Sequence, residues 1–299
     1  MWMAAVGFAD DLLLMAPSRF AMMNMLNVCE KYAETHNLLF STDPNPNKSK
    51  SKCIYMTGPR LKNALKPVNL TLNDKILPWV NNATHLGNEL HMDAHTDFDC
   101  NIKRARFIDS SLQIKETFSF AEPREILKAI LIYCCDFYGS PLWNLYGAKA
   151  EQLYRCWNIC VKLCWDLPRN THNIYVRNFL SCNFPSIRTQ CISRYTKYYK
   201  SLLSCPSKEV MVMARLVRFN ALSTTGLNAL NIRIETGRYP WEISSREARE
   251  ILSSKEKSVD SDVWRCWLLN GYIEIRDNLR AEMENTEYIE NLIESLCTS

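Results

Sequence analysis

Two adjacent aspartates, Asp10 and Asp11, stand inside an otherwise apolar run spanning residues 6–15. Paired carboxylates in such a segment are costly unless a turn exposes them or a cation neutralises them. Apolar residues flank the pair on both sides, so the run reads as strand, tight turn, strand, with the carboxylates at or beside the tip. Two oxygen-rich side chains on a rigid hairpin supply half of a magnesium site. A bare Asp-Asp pair in this setting can also be a plain turn or a helix-cap pair, and no neighbouring segment supplies further ligands.

The stretch after the run continues in an orderly way. Ser18 is an N-cap for a helix over residues 18–35, in which Met22, Leu26, Cys29 and Ala33 share one face. A polar loop with Pro44, Pro46, Lys48, Lys50 and Lys52 leads to Cys53-Ile54-Tyr55-Met56. Further on come Ala83-Thr84-His85-Leu86-Gly87.

These three segments, in this order, resemble the reverse transcriptases of non-LTR retrotransposons of the jockey-like kind. Phe8-Ala9-Asp10-Asp11 with the following leucines and Pro17-Ser18 matches the catalytic hairpin of the palm. The lysine loop and residues 53–56 resemble the loop and apolar strand of the next motif, Lys50 standing for the family lysine, with a register uncertain by two residues because Lys48 and Lys52 alternate with it. His85-Leu86-Gly87 matches the aromatic-Leu-Gly primer-grip hairpin, with His85 where an aromatic residue is usual. The likeness covers about the first ninety residues.

The resemblance implies metal-assisted nucleotidyl transfer with Mg2+. Asp10 is then the principal metal ligand and Asp11 a second ligand or a support for the turn. Lys50 is implied as the general acid at the departing pyrophosphate, or it is simply a solvated loop lysine. Phe8 packs either on the nucleotide sugar or in the palm interior, and Leu86 and Gly87 belong to the nucleic-acid-binding grip. The family's third metal-binding aspartate comes from a strand well before the hairpin. The sequence starts nine residues before Asp10, so that strand and the fingers are expected to be missing. Asp93, Asp97 and Asp99 read instead as polar residues entering a helix. The implied partners are an RNA template, a DNA primer or target and dNTP, with no other small-molecule cofactor. Magnesium binding is expected to be weak or absent in this chain.

From residue 97 the pattern is helical. Ile102, Ala105, Ile108 and Leu112 form an apolar stripe, which Lys103, Arg104 and Arg106 avoid. Pro123 opens a second helix with Ile126, Leu127, Ile130, Leu131 and Cys134. After a turn at Gly139-Ser140-Pro141, the segment 142–147 resembles the family's Tyr-Gly-Trp-type link between thumb helices. A third helix places Leu153, Trp157, Cys160 and Cys164 on one side and stops at Leu167-Pro168. In a thumb, Lys103, Arg104, Arg106, Lys149 and Arg155 contact phosphates; on an ordinary helix they are solvated. Ser204–Ser207, Ser223–Gly226 and residues 253–262 read as loops.

Low glycine content argues for helices over a β-rich architecture. Thirteen cysteines include no C-x-x-C pair, so neither a zinc ribbon nor a thioredoxin-like site is indicated. Cys156, Cys160 and Cys164 read as small buried hydrophobes. Arg194 to Lys200 interleaves tyrosines with bases as single-strand binders do, but Tyr195 and Tyr199 are better read as packing inward. Charge is uneven: residues 177–218 hold eight Lys and Arg against Glu209 alone, and residues 274–294 are rich in glutamate. A basic middle and an acidic end can pair within the molecule or serve different partners. No apolar run reaches the ~20 residues of a membrane span, and no signal peptide precedes the hairpin, so the sequons at Asn69 and Asn82 are expected to be unused.

The sequence therefore predicts an α+β, mostly helical chain. Residues 1–92 would be a partial palm with a small antiparallel sheet, 93–170 a helical thumb and 171–299 a helical C-terminal extension. The expected function is that of a fragment of an RNA-directed DNA polymerase, inactive alone. The alternatives are a non-catalytic nucleic-acid-binding module and a non-functional pseudogene product. Location is expected in the nucleus or cytoplasm, neither secreted nor in a membrane, and the oligomeric state is open.

Overall fold

The computed structural model describes residues 5–56, 69–93, 97–171, 173, 176, 186–217, 220 and 223–256. It is mostly helical with small antiparallel sheets, an α+β architecture. The chain divides into two compact units, Met1–Asp99 and Cys100–Ser299.

The first unit is built from three two-stranded hairpins and one helix. β1 (Ala5–Phe8) pairs with β2 (Asp11–Leu14), β3 (Thr71–Leu72) with β4 (Lys75–Ile76), and β5 (Asn82–His85) with β6 (Asn88–His91). Each has a two-residue loop, the tightest antiparallel connection, and these loops require left-handed backbone. Asn73 and Asp74 adopt φ of 52° and 58°, and Leu86 and Gly87 φ of 47° and 75°, the type I′ pattern.

α1 (Arg19–Thr35) starts where the sequence predicts, with the Ser18 hydroxyl accepting from the Ala21 amide at 3.2 Å. It ends in a Schellman turn: Asn37 takes φ of 53°, and the Leu38 amide donates back to the Ala33 carbonyl at 2.8 Å. Leu26 is buried in a small cluster with Leu70, Leu72 and Leu77, flanked by Leu14, Met22, Phe40, Cys53 and Trp79. Glu30 ties the helix to the β3–β4 turn by accepting from the Asn73 amide at 2.6 Å.

The strand expected at residues 53–56 is reduced to one parallel bridge, Cys53 to Trp79. Cys53 donates to the Pro78 carbonyl and accepts from the Val80 amide. Two residues further the partner chain enters β5, and Asn82 pairs with His91.

The second unit is helical: α2 (Asp97–Thr117, which begins before the division), α3 (Pro123–Tyr133), α4 (Ala148–Cys164), α5 (Ile187–Leu203), α6 (Lys208–Val217), α7 (Thr224–Thr236) and α8 (Ser245–Glu256). Pro123 occupies the first turn of α3 as expected, and Ile126, Leu127 and Ile130 are buried. A short 3-10 turn, Ser140–Leu142, is entered through Gly139 at φ of 89°. One core unites Phe107, Leu127, Trp143, Leu153, Ile192 and Leu252. Tyr195 and Tyr199 face this core, as their spacing predicts.

The structure differs from expectation in two places besides the loop expected at residues 253–262, whose described part, 253–256, is the end of α8 (Ser245–Glu256), the rest lying outside the described residues. On α2 three of the four predicted stripe residues are turned outward, Ala105 exposed, Ile108 38% exposed and Leu112 40%, while Ile102 is half-buried. The buried side is Cys100, Phe107 and Ser111 instead. α2 is apolar on two faces, and burying Phe107 removes more apolar area from water than burying Ile108 or Ala105. Phe107 meets Phe137 at 5.8 Å between ring centroids, while the Ser111 hydroxyl is satisfied by the Phe107 carbonyl at 2.6 Å. The second difference is Ser223–Gly226, expected as a loop. Ser223 is an N-cap accepting from the Gly226 amide at 3.0 Å, and α7 begins at Thr224. Gly226 serves close packing here: a Cβ added to it would lie 2.2 Å from the Asn220 carbonyl oxygen.

The cysteines of α4 behave as core side chains. Cys156, Cys160 and Cys164 are buried and free. Burial pushes the Cys160 thiol up to about 12 and the Cys164 thiol up to about 11. Among the described residues no helix is long and apolar enough to cross a membrane.

Candidate active site

The β1–β2 hairpin presents the two aspartates as the sequence predicts. Phe8 pairs with Asp11 and closes a loop made of Ala9 and Asp10. Ala9 takes φ of 53° and Asp10 has no positive φ, the pattern of a type II′ turn, which favours glycine at Ala9's position. Asp10 thus sits in the loop and Asp11 opens β2, both exposed to solvent. Alternation places Asp11, Leu13, Val6 and Phe8 on one face of the ribbon. Phe8 is 66% exposed on that face, so it packs into no interior of this unit. The opposite face carries Leu14, which joins the small leucine cluster.

The donor set at the hairpin is short for a divalent ion. Among the described residues no group of three or more His, Cys, Asp or Glu side chains is gathered so as to hold a metal. A small hard cation needs several oxygen ligands fixed in near-octahedral geometry. Asp10 and Asp11 alone do not fit it. Asp97 and Asp99 lie in the first turn of α2, where acids oppose the helix dipole favourably. Asp99 is buried and accepts from the Glu89 amide at 3.2 Å, which gives it a structural task beside β6. His91 and Asp93 approach each other at 3.4 Å.

Lys50 is exposed in a loop whose shape comes from its neighbours. Asp43 accepts from the Asn45 amide at 2.8 Å and Asn45 from the Asn47 amide at 3.0 Å, two successive Asx turns. Buried Ser49 accepts from the Asp43 amide and donates to the Ser51 carbonyl at 2.6 Å. The loop is therefore ordered around Lys50, whose side chain points to solvent. Leu86 and Gly87 form the turn between β5 and β6, Leu86 half-buried and Gly87 exposed.

The candidate phosphate contacts lie in the helical unit. Arg106 and Arg155 are exposed; Lys103, Arg104 and Lys149 are half-buried. Arg104 donates to the Gln152 side chain at 2.9 Å, which ties α2 to α4. Part of its hydrogen-bonding capacity is spent within the protein.

The most connected polar residues of this unit escape a reading by motif. Arg188 pairs with Glu235, whose other oxygen accepts from the Tyr146 hydroxyl at 2.6 Å. Burial and the Glu235 charge push the Tyr146 hydroxyl well above its ordinary range. Two turns earlier on α7, Asn228 accepts from the Leu145 amide at 3.0 Å and donates to the Trp143 carbonyl at 2.6 Å. The signal was present: Asn228 and Glu235 are seven apart, on one face of a helix that is otherwise buried through Ala229, Ile232 and neighbours.

Compared with known proteins, the chain matches no family model, no curated protein and no solved structure. The fold and the hairpin together define an α+β protein with a carboxylate-tipped ribbon and a separate helical unit.

Proposed function

We propose that this chain is part of a non-LTR retrotransposon reverse transcriptase, running from the catalytic hairpin of the palm through the primer grip and thumb into a helical extension. The observation that carries the reading is the β1–β2 ribbon, with its two carboxylates at a strained two-residue tip between apolar strands. Its support is the order that follows: a helix, a lysine loop, a Leu-Gly hairpin and then helices with basic side chains. The parent activity is RNA-directed DNA polymerisation, a metal-dependent nucleotidyl transfer.

Alone, the chain performs no such transfer on this reading. Among the described residues the donors gathered at the hairpin stop at two carboxylates, and no catalytic step is assigned to Asp10, Asp11 or Lys50. What remains is sequence-independent binding of the phosphate backbone through Lys103, Arg104, Arg106, Lys149 and Arg155. The Arg104–Gln152 link favours this second, non-catalytic reading, because it holds bases of α2 and α4 in one arrangement.

Filter binding of an RNA–DNA hybrid over a salt series tests the binding reading. Affinity should fall steeply with salt, and neutralising three of the five bases should reduce the slope by about 3. No binding at low salt would overturn it. Primer extension with magnesium on the same hybrid tests the rest: the expected product is none, and extension abolished by Asp10→Ala would show a working active site.

A further inference from the structure

We propose that the acidic C-terminal stretch, residues 282–294, docks on the outward surface of α5 and α6 of the same molecule. The sequence supplies the first half of the match. That stretch holds five glutamates (Glu282, Glu284, Glu287, Glu290 and Glu294) and no lysine or arginine, interleaved with Met283, Tyr288, Ile289, Leu292 and Ile293.

The structure supplies the other half by separating spent charge from free charge. α5 and α6 pack together, the Tyr199 hydroxyl donating to the Ala214 carbonyl. Arg188 is consumed inside by Glu235. Arg194 approaches Asp136 at 3.8 Å. Lys200 lies close enough to Glu247 of α8 to help hold that carboxyl below its usual range. Lys197, Lys208 and Arg215 are exposed and form no ion pair among the described residues. Glu209 is the one acid on these two helices, and the Ser207 hydroxyl donates to it. Lys208 and Arg215 are seven residues apart and share one face of α6.

Chain connectivity permits the match. The described chain leaves through α8, which lies against α5. Residues 257–281 then separate α8 from the acidic stretch. Even at the short rise of a helix, about 1.5 Å per residue, they reach roughly 37 Å. Individual exposed ion pairs contribute little, so the docking depends on several pairs together and is weakened by salt. The inference goes beyond the nucleic-acid reading and does not depend on it.

Zero-length carbodiimide cross-linking of the full chain, read by mass spectrometry, tests it without nucleic acid. At about 10 mM salt, glutamates of residues 282–294 should link to Lys197, Lys200 or Lys208 within one chain, with yield falling at least about fivefold at about 1 M salt. Replacing the five glutamates by glutamine in the full chain should abolish these links while α-helical circular dichroism stays unchanged. Links spread evenly over Lys103, Lys128 and Lys149 would overturn the proposal, as would yields indifferent to salt. In a mixture of isotope-labelled and unlabelled protein, links between labelled and unlabelled chains would also overturn it, assigning the surface to a second copy.

Discussion

Arg188 of α5 and Glu235 of α7 form an ion pair in which both side chains are nearly removed from solvent, 13% and 2% exposed. Tyr146 completes it, its hydroxyl on Glu235 and its ring 5.4 Å from the Arg188 guanidinium carbon. Breaking such a pair from one side leaves an uncompensated charge, which costs about 3–5 kcal/mol, whereas replacing both partners by apolar residues of similar volume can be nearly neutral. Glu235→Ala should therefore destabilise the helical unit by that amount, and Arg188→Met with Glu235→Leu by much less. Urea denaturation of the three proteins checks this; equal losses would mean the pair acts only by packing.

The helical unit should lose stability in alkali. Burial raises the Cys160 thiol to about 12 and the Cys164 thiol to about 11, from an ordinary value of 9.0. The Tyr146 hydroxyl moves in the same direction. A raised folded-state pKa means the unfolded chain releases the proton first, so this contribution is complete below pH 9.0 and lost as pH rises towards 12. Thermal unfolding followed from pH 8 upward should show a falling midpoint above about pH 9. Cys160→Ala should flatten that fall, and a midpoint constant to pH 11 would contradict the burial of these thiols.

Those thiols were legible in the sequence because a four-residue spacing on an apolar helix face admits few other readings. The β1–β2 hairpin was legible because apolar residues flank a carboxylate pair that needs a turn, and the β5–β6 hairpin only through the resemblance of its Leu86-Gly87 tip. The α2 face was not. Ile102, Ala105, Ile108 and Leu112 match the helical period as well as Cys100, Phe107 and Ile114 do, and only the tertiary position of Phe137 decides between them. The strand at Cys53 shrinks to a single bridge with Trp79, a long-range pairing that residues 53–56 by themselves do not disclose. Of the candidate site, the turn and its two carboxylates could be foreseen, and the tasks of Asp99 and Arg104 could not. Each depends on a partner ten or more residues away.

Gly226 should tolerate no side chain. The nearest atoms to an added Cβ are backbone, the Asn220 carbonyl oxygen at 2.2 Å and the Val217 carbonyl oxygen at 2.7 Å. Neither can rotate away as a side chain would, so the start of α7 must shift. Overpacking of this kind costs about 1–3 kcal/mol or more. Gly226→Ala should lower the urea midpoint, although alanine is the better helix former by about 1 kcal/mol. A stabilised Gly226→Ala protein would show that α7 does not approach residues 217–220 so closely.

Ala9 holds the two aspartates at the hairpin tip by adopting a backbone conformation that L-residues avoid. The left-handed region costs an alanine roughly 1–2 kcal/mol, and a two-stranded ribbon has little stability in reserve. Ala9→Gly removes that cost at the first loop position, where a type II′ turn prefers glycine. Ala9→Val increases it, because a β-branched residue is the least tolerant of positive φ. Amide hydrogen exchange across residues 5–14 reads the effect directly. Ala9→Gly should slow exchange about fivefold or more, and Ala9→Val should speed it, if relief of about 1 kcal/mol reaches the ribbon. Equal rates in all three proteins would mean that Phe8 and Asp11 are held in register by something other than the turn. Faster exchange in the glycine variant would refute the turn assignment itself, and with it the placement of Asp10 in the loop and Asp11 at the head of β2.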